Sequence, residues 1–116
     1  MDTEALQLQL RRFAEERDWE QFHTPKNLVM ALAGEAGELL DLFQWKTDEQ
    51  SEASALSKSE LDEVSMEMAD VAMYLVRLAD KLEIDLDSAI QKKLLLNGEK
   101  YPIGQSKGNA TKYNRR

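Results

Sequence analysis

Residues 24–45, TPKNLVMALAGEAGELLDLFQW, decide the fold class of this chain. Thr24 can cap a helix and Pro25 suits its first turn, so we predict a helix from here to about Trp45. At roughly 100° per residue, one apolar stripe collects Leu28, Leu32, Leu39, Leu42 and Phe43. This periodicity predicts an amphipathic helix that packs against other helices.

A second helical pattern precedes this stretch, and a polar segment follows it. Apolar residues recur at helical spacing from about Thr3 to Arg17, which predicts the first helix of the chain. The segment Lys46–Lys58 is rich in Ser, Asp and Glu, so we predict a loop there. Apolar and polar residues almost never alternate strictly, and strands therefore have little support.

Helices are also predicted after the loop. Ser57 and Glu60 have the spacing of a capping box, which opens a third helix that reaches about Glu83. Asp85 or Asp87 can cap a fourth helix. These patterns predict an all-α, four-helix bundle-like domain.

The end of the chain differs in composition from the rest. Asn97-Gly98 is expected to end the fourth helix. From Lys100 onward there are five basic residues and no acidic one. We therefore divide the chain into an all-α domain at residues 1–103 and a basic, flexible tail at residues 104–116.

Composition excludes several classes of function. The chain has 116 residues and a formal charge of -7, and nucleic acid is an unlikely partner because its binding requires a concentrated positive surface. It has no cysteine, which excludes disulfides, thiolate nucleophiles and cysteine-ligated zinc. No stretch resembles a signal peptide or a membrane span, so we expect a cytoplasmic protein without a membrane partner.

Two acidic pairs stand at the same spacing on the second and third predicted helices. Glu35 lies in the middle of the apolar stripe, and Glu38 follows it by one turn. Glu67 and Asp70 repeat the spacing, with Tyr74 one turn further on the same side. A buried carboxylate costs several kcal/mol unless it is neutralised, paired or bound to a cation. If the two helices pack antiparallel, all four carboxylates can meet across one groove.

Two glycines flank the first acidic pair. Gly34 and Gly37 each cost roughly 1 kcal/mol relative to Ala inside a helix. We therefore expect that another group approaches the backbone closely at this point.

The acidic pairs favour a hard divalent cation. Oxygen ligands without Cys or helical His suit Mg²⁺, or Mn²⁺ in its place, better than zinc. Such a site suits a polyphosphate substrate, whose phosphates Lys26, Lys93 or Lys100 can contact. The alternative is that the carboxylates are solvated faces of ordinary surface helices.

Several motifs together carry a family resemblance. They are Glu35-x-x-Glu38 with Glu67-x-x-Asp70, the stretch from Phe13 to His23, Pro25-x-Asn27-Leu28, Phe43-Gln44-Trp45, and Lys93, Asn97 and Lys100-Tyr101-Pro102. Across residues 13–102 the chain resembles the MazG-like, all-α nucleoside triphosphate pyrophosphohydrolases, and in particular their dCTP pyrophosphatase branch.

The resemblance implies an activity and a set of site residues. It implies hydrolysis of dCTP, or a modified dCTP, between the α- and β-phosphates, giving the monophosphate and pyrophosphate in nucleotide-pool sanitation. It implies Mg²⁺ at Glu35, Glu38, Glu67 and Asp70, with the first two as catalytic residues. The substrate contacts that it implies are Trp19, His23, Trp45, Tyr74, Lys93, Asn97, Lys100 and Tyr101. Trp19 and Trp45 would line the base pocket, and Leu10 stands where related animal enzymes have a histidine.

The sequence also predicts a homo-oligomer. Met66 and Met73 lie seven residues apart on the third helix, away from its main stripe, and a lone bundle would expose them. The resemblance implies a tetramer, a dimer of dimers with sites built from neighbouring subunits.

Two alternative functions stay open at this point. The same chemistry can act on another nucleoside triphosphate. Otherwise the chain is a non-catalytic helical interaction module, whose second apolar strip binds a partner.

Overall fold

The protein is described from a computed structural model that covers residues 1–108 and residue 110. All regular structure in this part of the chain is helical, which confirms the predicted all-α class. None of the helices found there combines the length and apolar character that a membrane crossing requires. The described residues form two compact units, which divide between Glu83 and Ile84.

The first helix, α1, spans Thr3–Glu16, close to the predicted range. The Asp2 side chain caps it by accepting a hydrogen bond from the Ala5 amide at 3.0 Å. The helix ends before Asp18, whose φ of 53° is left-handed. This turn lets the Trp19 amide donate to the Ala14 carbonyl at 2.9 Å, and a short 3₁₀ turn follows at Glu20–Phe22.

The second helix, α2, spans Pro25–Asp41. Thr24 caps it as predicted, because its hydroxyl accepts from the Asn27 amide at 3.2 Å. The predicted end at Trp45 is wrong by four residues. The amide of Phe43 donates to the Leu40 carbonyl at 2.9 Å, so the chain tightens into turns instead of continuing the helix.

The segment after α2 is a loop with two short 3₁₀ turns, Glu49–Ser51 and Ala53–Ala55. Lys46 at its start donates to Glu60 at 2.8 Å, which ties the loop to the next helix. That helix, α3, spans Lys58–Lys81 and opens with the predicted capping box. Both halves of the box form, since Ser57 and Glu60 bond each other's backbone amides at 3.1 Å.

In the first unit α3 packs against both α2 and α1. The two helices α2 and α3 run antiparallel, since Lys46 after the end of α2 meets Glu60 near the start of α3. The apolar residues buried most completely are few and mostly small: Ala14, Leu28, Val76 and Ala79. Many larger apolar side chains stay exposed, including Met66 at 65% of its surface.

The second unit contains α4, Leu86–Lys100, and the short α5, Ile103–Ser106. Asp85 is the cap, because it accepts from the Ser88 amide at 3.0 Å. The prediction that Asn97-Gly98 ends this helix is wrong, since it continues to Lys100. Pro102 accounts for the stop, because a proline disfavours helical backbone at the residue before it.

The predicted tail at residues 104–116 is described only in part. It overlaps the last three residues of α5. The remainder of this prediction, at residues 109 and 111–116, lies outside the described residues.

Candidate functional site

Antiparallel packing of α2 and α3 brings three of the four predicted carboxylates together. Glu35 and Glu38 on α2 and Glu67 on α3 each offer one oxygen, and these oxygens all lie within 4.8 Å of one another. Glu35 and Glu67 are half-buried, whereas Glu38 is exposed. We call these three residues the acidic cluster.

Two oxygens of the acidic cluster have no partner within the described chain. The Oε2 atoms of Glu35 and Glu67 are buried and accept no hydrogen bond there. Interaction with the Glu38 side chain, reinforced by burial, raises the pKa of Glu35 to about 7. Burial and then the Glu38 side chain raise the pKa of Glu67. Among the causes that shift these two pKa values, which come from the described residues, no positive group compensates the charge of the cluster.

Asp70 lies beside the acidic cluster. Its charge contributes to the raised pKa values of both Glu35 and Glu67, although it is not one of the three residues whose oxygens converge. Its side chain instead lines a neighbouring cavity. Asp70 thus borders both the cluster and the cavity.

The glycines beside the cluster do not have the predicted role in the described chain. A Cβ atom built at Gly34 or Gly37 would meet nothing within 4 Å. No described group makes the close backbone approach that we expected. The helical dihedrals at both positions are also open to alanine, so neither glycine is required by its own conformation.

The neighbouring cavity has a volume of about 270 Å³. It is lined by eight residues of the first unit: Leu10, Phe13, Trp19, His23, Asp70, Met73, Tyr74 and Arg77. Three predicted substrate contacts, Trp19, His23 and Tyr74, therefore share one cavity wall with a predicted metal ligand. Leu10 also lines this cavity, and the resemblance implies a histidine at its position in related animal enzymes.

Aromatic contacts orient Trp19 in this cavity. Its ring packs edge-on against Phe13 at 5.8 Å and tilts against His23 at 6.4 Å between centroids. Arg17 covers the Phe13 ring, with its guanidinium carbon 3.5 Å from the ring centroid. The Trp19 side chain remains 43% exposed, which leaves ring surface for a planar ligand.

The other predicted substrate residues belong to other segments of the chain. Trp45 follows α2, does not line the cavity and is 87% exposed. Lys93, Asn97 and Lys100 lie on α4 of the second unit, and Tyr101 follows that helix. Their contacts with a substrate stay predictions.

A charge network that we did not predict supports the cavity. Arg77, only 4% exposed, pairs with Glu20 and with Asp80, the latter at 3.2 Å. Its Nε atom donates to His23 Nδ1 at 3.3 Å. Arg11 also pairs with Asp80, and Lys81 donates to Glu20 at 2.9 Å.

These pairs shift the pKa values of the groups around Arg77. The Arg11 hydrogen bond is the main reason that the pKa of Asp80 is lowered. The Lys81 and Arg77 side chains lower the pKa of Glu20. A sequence signal for Arg77 existed, because it follows Asp70 by seven residues and thus lies two turns along the same helix face.

Comparison with known proteins assigns the family. The sequence model of the MazG-like family matches residues 31–115. A crystal structure of a pyrophosphatase from Archaeoglobus fulgidus superposes with a TM-score of 0.80 at 39% identity, covering 88% of this chain and 94% of that one. The chain therefore belongs to the MazG-like family.

The chain is also similar in sequence to curated mammalian proteins. Over 101 residues the chain is 48% identical to dCTP pyrophosphatase 1 of Bos taurus and 46% identical to that of Homo sapiens. The match covers 87% of this chain in each case. The chain spans about 60% of the length of these relatives.

The acidic cluster fits a divalent metal ion. All of its donors are carboxylate oxygens, which hard cations prefer. The Oε2 atoms of Glu35 and Glu67, which accept no hydrogen bond from any described residue, are oxygens that a cation can satisfy.

Proposed function

We propose that this chain is a nucleoside triphosphate pyrophosphohydrolase that acts on dCTP or a modified dCTP. It cleaves between the α- and β-phosphates and releases the monophosphate and pyrophosphate. The acidic cluster beside an aromatic cavity is the observation that carries this proposal. Similarity to dCTP pyrophosphatase 1 of mammals supports the choice of substrate.

In this proposal Glu35, Glu38, Glu67 and Asp70 hold Mg²⁺, for which Mn²⁺ can substitute. A bound divalent cation would neutralise charge on the phosphates and polarise the phosphoryl oxygens. Asp70, which lines the neighbouring cavity, would complete this ligand set. By holding the cation, these four carboxylates would fix the triphosphate beside the aromatic cavity.

The chain's own residues then orient the reacting groups. Trp19 stacks on the base inside the cavity, where His23 and Tyr74 contact the rest of the nucleoside. A carboxylate of Glu35 or Glu38 accepts the proton of the water that attacks the α-phosphorus. Pyrophosphate leaves as the bond to the β-phosphate breaks. Lys93, Asn97, Lys100 and Tyr101 are proposed to contact the phosphates and sugar.

Hydrolysis of a nucleotide panel tests the proposal. Canonical and modified deoxynucleoside triphosphates are incubated with Mg²⁺, Mn²⁺ or a chelator, and the products are separated. Pyrophosphate and monophosphate are expected, with dCTP or a modified dCTP preferred in competition. Reaction in ¹⁸O-labelled water is expected to place the label in the monophosphate.

Other outcomes identify the alternatives. Preference for a different triphosphate keeps the reaction and changes the substrate. If no triphosphate is hydrolysed with either metal, the proposed enzymatic activity is overturned and the non-catalytic interaction module is favoured.

We also propose a homo-oligomer, a dimer of dimers. Met66 and Met73 are 65% and 36% exposed, and Trp45 lies open to a partner subunit at 87%. Size-exclusion chromatography with light scattering is expected to give a tetramer. A compact monomer at micromolar concentration would contradict it.

We also propose a cellular location and a biological role for this activity. We place this activity in the cytoplasm, in the sanitation of the nucleotide pool. The absence of cysteine is consistent with a reducing compartment. Localisation of the tagged chain in its source cells tests this placement.

A further inference from the structure

Arg77 is an unusual residue for the wall of a small cavity. It is a permanently charged side chain, and only 4% of its surface is exposed. Burial of this kind requires partners on all sides of the guanidinium, which has donors and no acceptor. Glu20 and Asp80 accept from its two terminal nitrogens, and Asp80 does so at 3.2 Å.

The third nitrogen of the Arg77 guanidinium, Nε, points at a histidine. Its Nε atom donates to His23 Nδ1 at 3.3 Å. These two carboxylates on its terminal nitrogens, together with His23 on Nε, fix the plane of the guanidinium. The direction of the Nε–H bond is therefore set before any ligand enters the cavity.

This hydrogen bond decides where the histidine carries its proton. A neutral imidazole has one N–H group and one acceptor nitrogen. Because His23 Nδ1 accepts from Arg77, the proton must be on Nε2. His23 lines the same cavity as Trp19 and Tyr74, so the residue that carries this N–H donor belongs to the cavity wall.

We propose that Arg77 is a positioning residue that holds His23 as the neutral tautomer protonated at Nε2, so that the cavity offers a donor to an acceptor atom of the nucleotide. This inference rests on the proposed function, and Arg77 acts through His23. Burial and the Arg77 charge also lower the pKa of His23, which keeps the ring neutral near neutral pH. At His23 a nucleotide therefore meets a neutral hydrogen-bond donor instead of a second positive charge beside Arg77.

The tautomer is directly measurable because His23 is the single histidine of the chain. Nitrogen-15 NMR of the 116-residue chain without nucleotide distinguishes the protonated ring nitrogen from the bare one. The wild type is expected to show a proton on Nε2 only. Arg77→Met is expected to give a mixture of tautomers, since nothing then donates to Nδ1.

Two further variants complete this experiment. Arg77→Lys keeps a buried positive charge but lacks the Nε–H donor, and it replaces Arg77→Met if that variant does not fold. Arg11→Met is the matched control, because it removes an arginine from Asp80 without contacting His23, and the tautomer should not change. A tautomer mixture in the wild type, or an unchanged tautomer in the folded Arg77 variant, overturns the proposal.

Kinetics test whether the donor meets the nucleotide. His23→Asn keeps an acceptor for Arg77 and removes the Nε2 donor, so KM should rise about fivefold with little change in kcat. Arg77→Lys should raise KM by a similar factor and add nothing further in the His23→Asn background. Additive effects would show that Arg77 acts by another route and overturn the proposal.

The two readouts separate this inference from the proposed function. If no triphosphate is hydrolysed, the proposed function fails, while the NMR tautomer still decides the role of Arg77. If hydrolysis occurs and Arg77 variants leave the tautomer unchanged, the function stands and the inference fails.

Discussion

Glu35 on α2 and Glu67 on α3 each bury one carboxylate oxygen, Oε2, that meets no hydrogen-bond donor in the described part of the chain. The third member of the cluster, Glu38, brings its own oxygen within 4.8 Å of theirs. Each arrangement is unfavourable for a folded protein by itself. Such local costs are retained where function requires them.

Loss of one cluster carboxylate should remove activity without unfolding the chain. We expect Glu38→Gln to lower kcat/KM for the preferred triphosphate by about 100-fold, because a cation ligand is lost. Pyrophosphate release measures the rate, and circular dichroism checks the helices. Asp62→Asn, an exposed acid on the same helix as Glu67, is the control and should stay within about twofold. Equal losses in both variants would argue against the cluster.

The acidic cluster should destabilise the metal-free protein at high pH. The pKa of Glu35 is about 7 when folded and near 4.5 when unfolded, so folding takes up a proton between these values. The contribution of Glu35 to the free energy of unfolding is fully present below about pH 4.5 and is lost as pH rises through about 7. Glu35→Gln should therefore raise Tm at pH above 7, with a chelator present, and change it little in acid. A Tm gain that is the same at all pH values would contradict this origin.

Divalent cations should stabilise the fold through the same residues. A cation at 100 times its Kd adds about 2.7 kcal/mol to the free energy of unfolding if it binds only the folded state. We expect Mg²⁺ and Mn²⁺ to raise the Tm of the wild type and to have little effect on Glu67→Gln. Calorimetric titration of the same proteins measures the binding directly. No uptake of either ion, with or without nucleotide, would exclude the metal site.

The charge network around Arg77 should contribute to stability. Asp80 is 9% exposed and accepts from both Arg11 and Arg77, so Asp80→Asn should cost about 3 kcal/mol in urea unfolding. Its pKa is lowered when folded, and the contribution is therefore lost as pH falls below about 4. Glu16→Gln, which breaks a long exposed pair with Arg17, should change stability by less than about 0.5 kcal/mol. Equal effects of the two substitutions would disprove the network's role.

Helix starts were predictable because they depend on neighbouring residues. Thr24, Ser57 and Asp85 each cap a helix with their own side chains, and a cap needs only the amides that follow it. Helix ends were less predictable. The end of α2 depends on turns that lead Lys46 to Glu60, and α4 passes Gly98 because glycine is tolerated inside a helix when no proline follows it directly.

The residues of the candidate site were likewise predictable only where their arrangement is local. The spacing of Glu35 with Glu38 and of Glu67 with Asp70 placed each pair on one helix face, and antiparallel packing was sufficient to bring three of them together. No spacing indicated that Arg77 would meet His23, since 54 residues separate them. Contacts between distant segments depend on how helices pack, and local periodicity does not contain that information.

The amino-acid sequence alone determined the helical class, the caps of its helices and the pairing of its acidic residues, because each follows from interactions within a few turns. Tertiary packing decided that Asp70 lines a cavity and that a buried arginine orients the only histidine. It also left Trp45 exposed on the single chain. These features depend on burial and on charges brought together from α1, α3 and the turn between α1 and α2, and only the folded chain creates that environment.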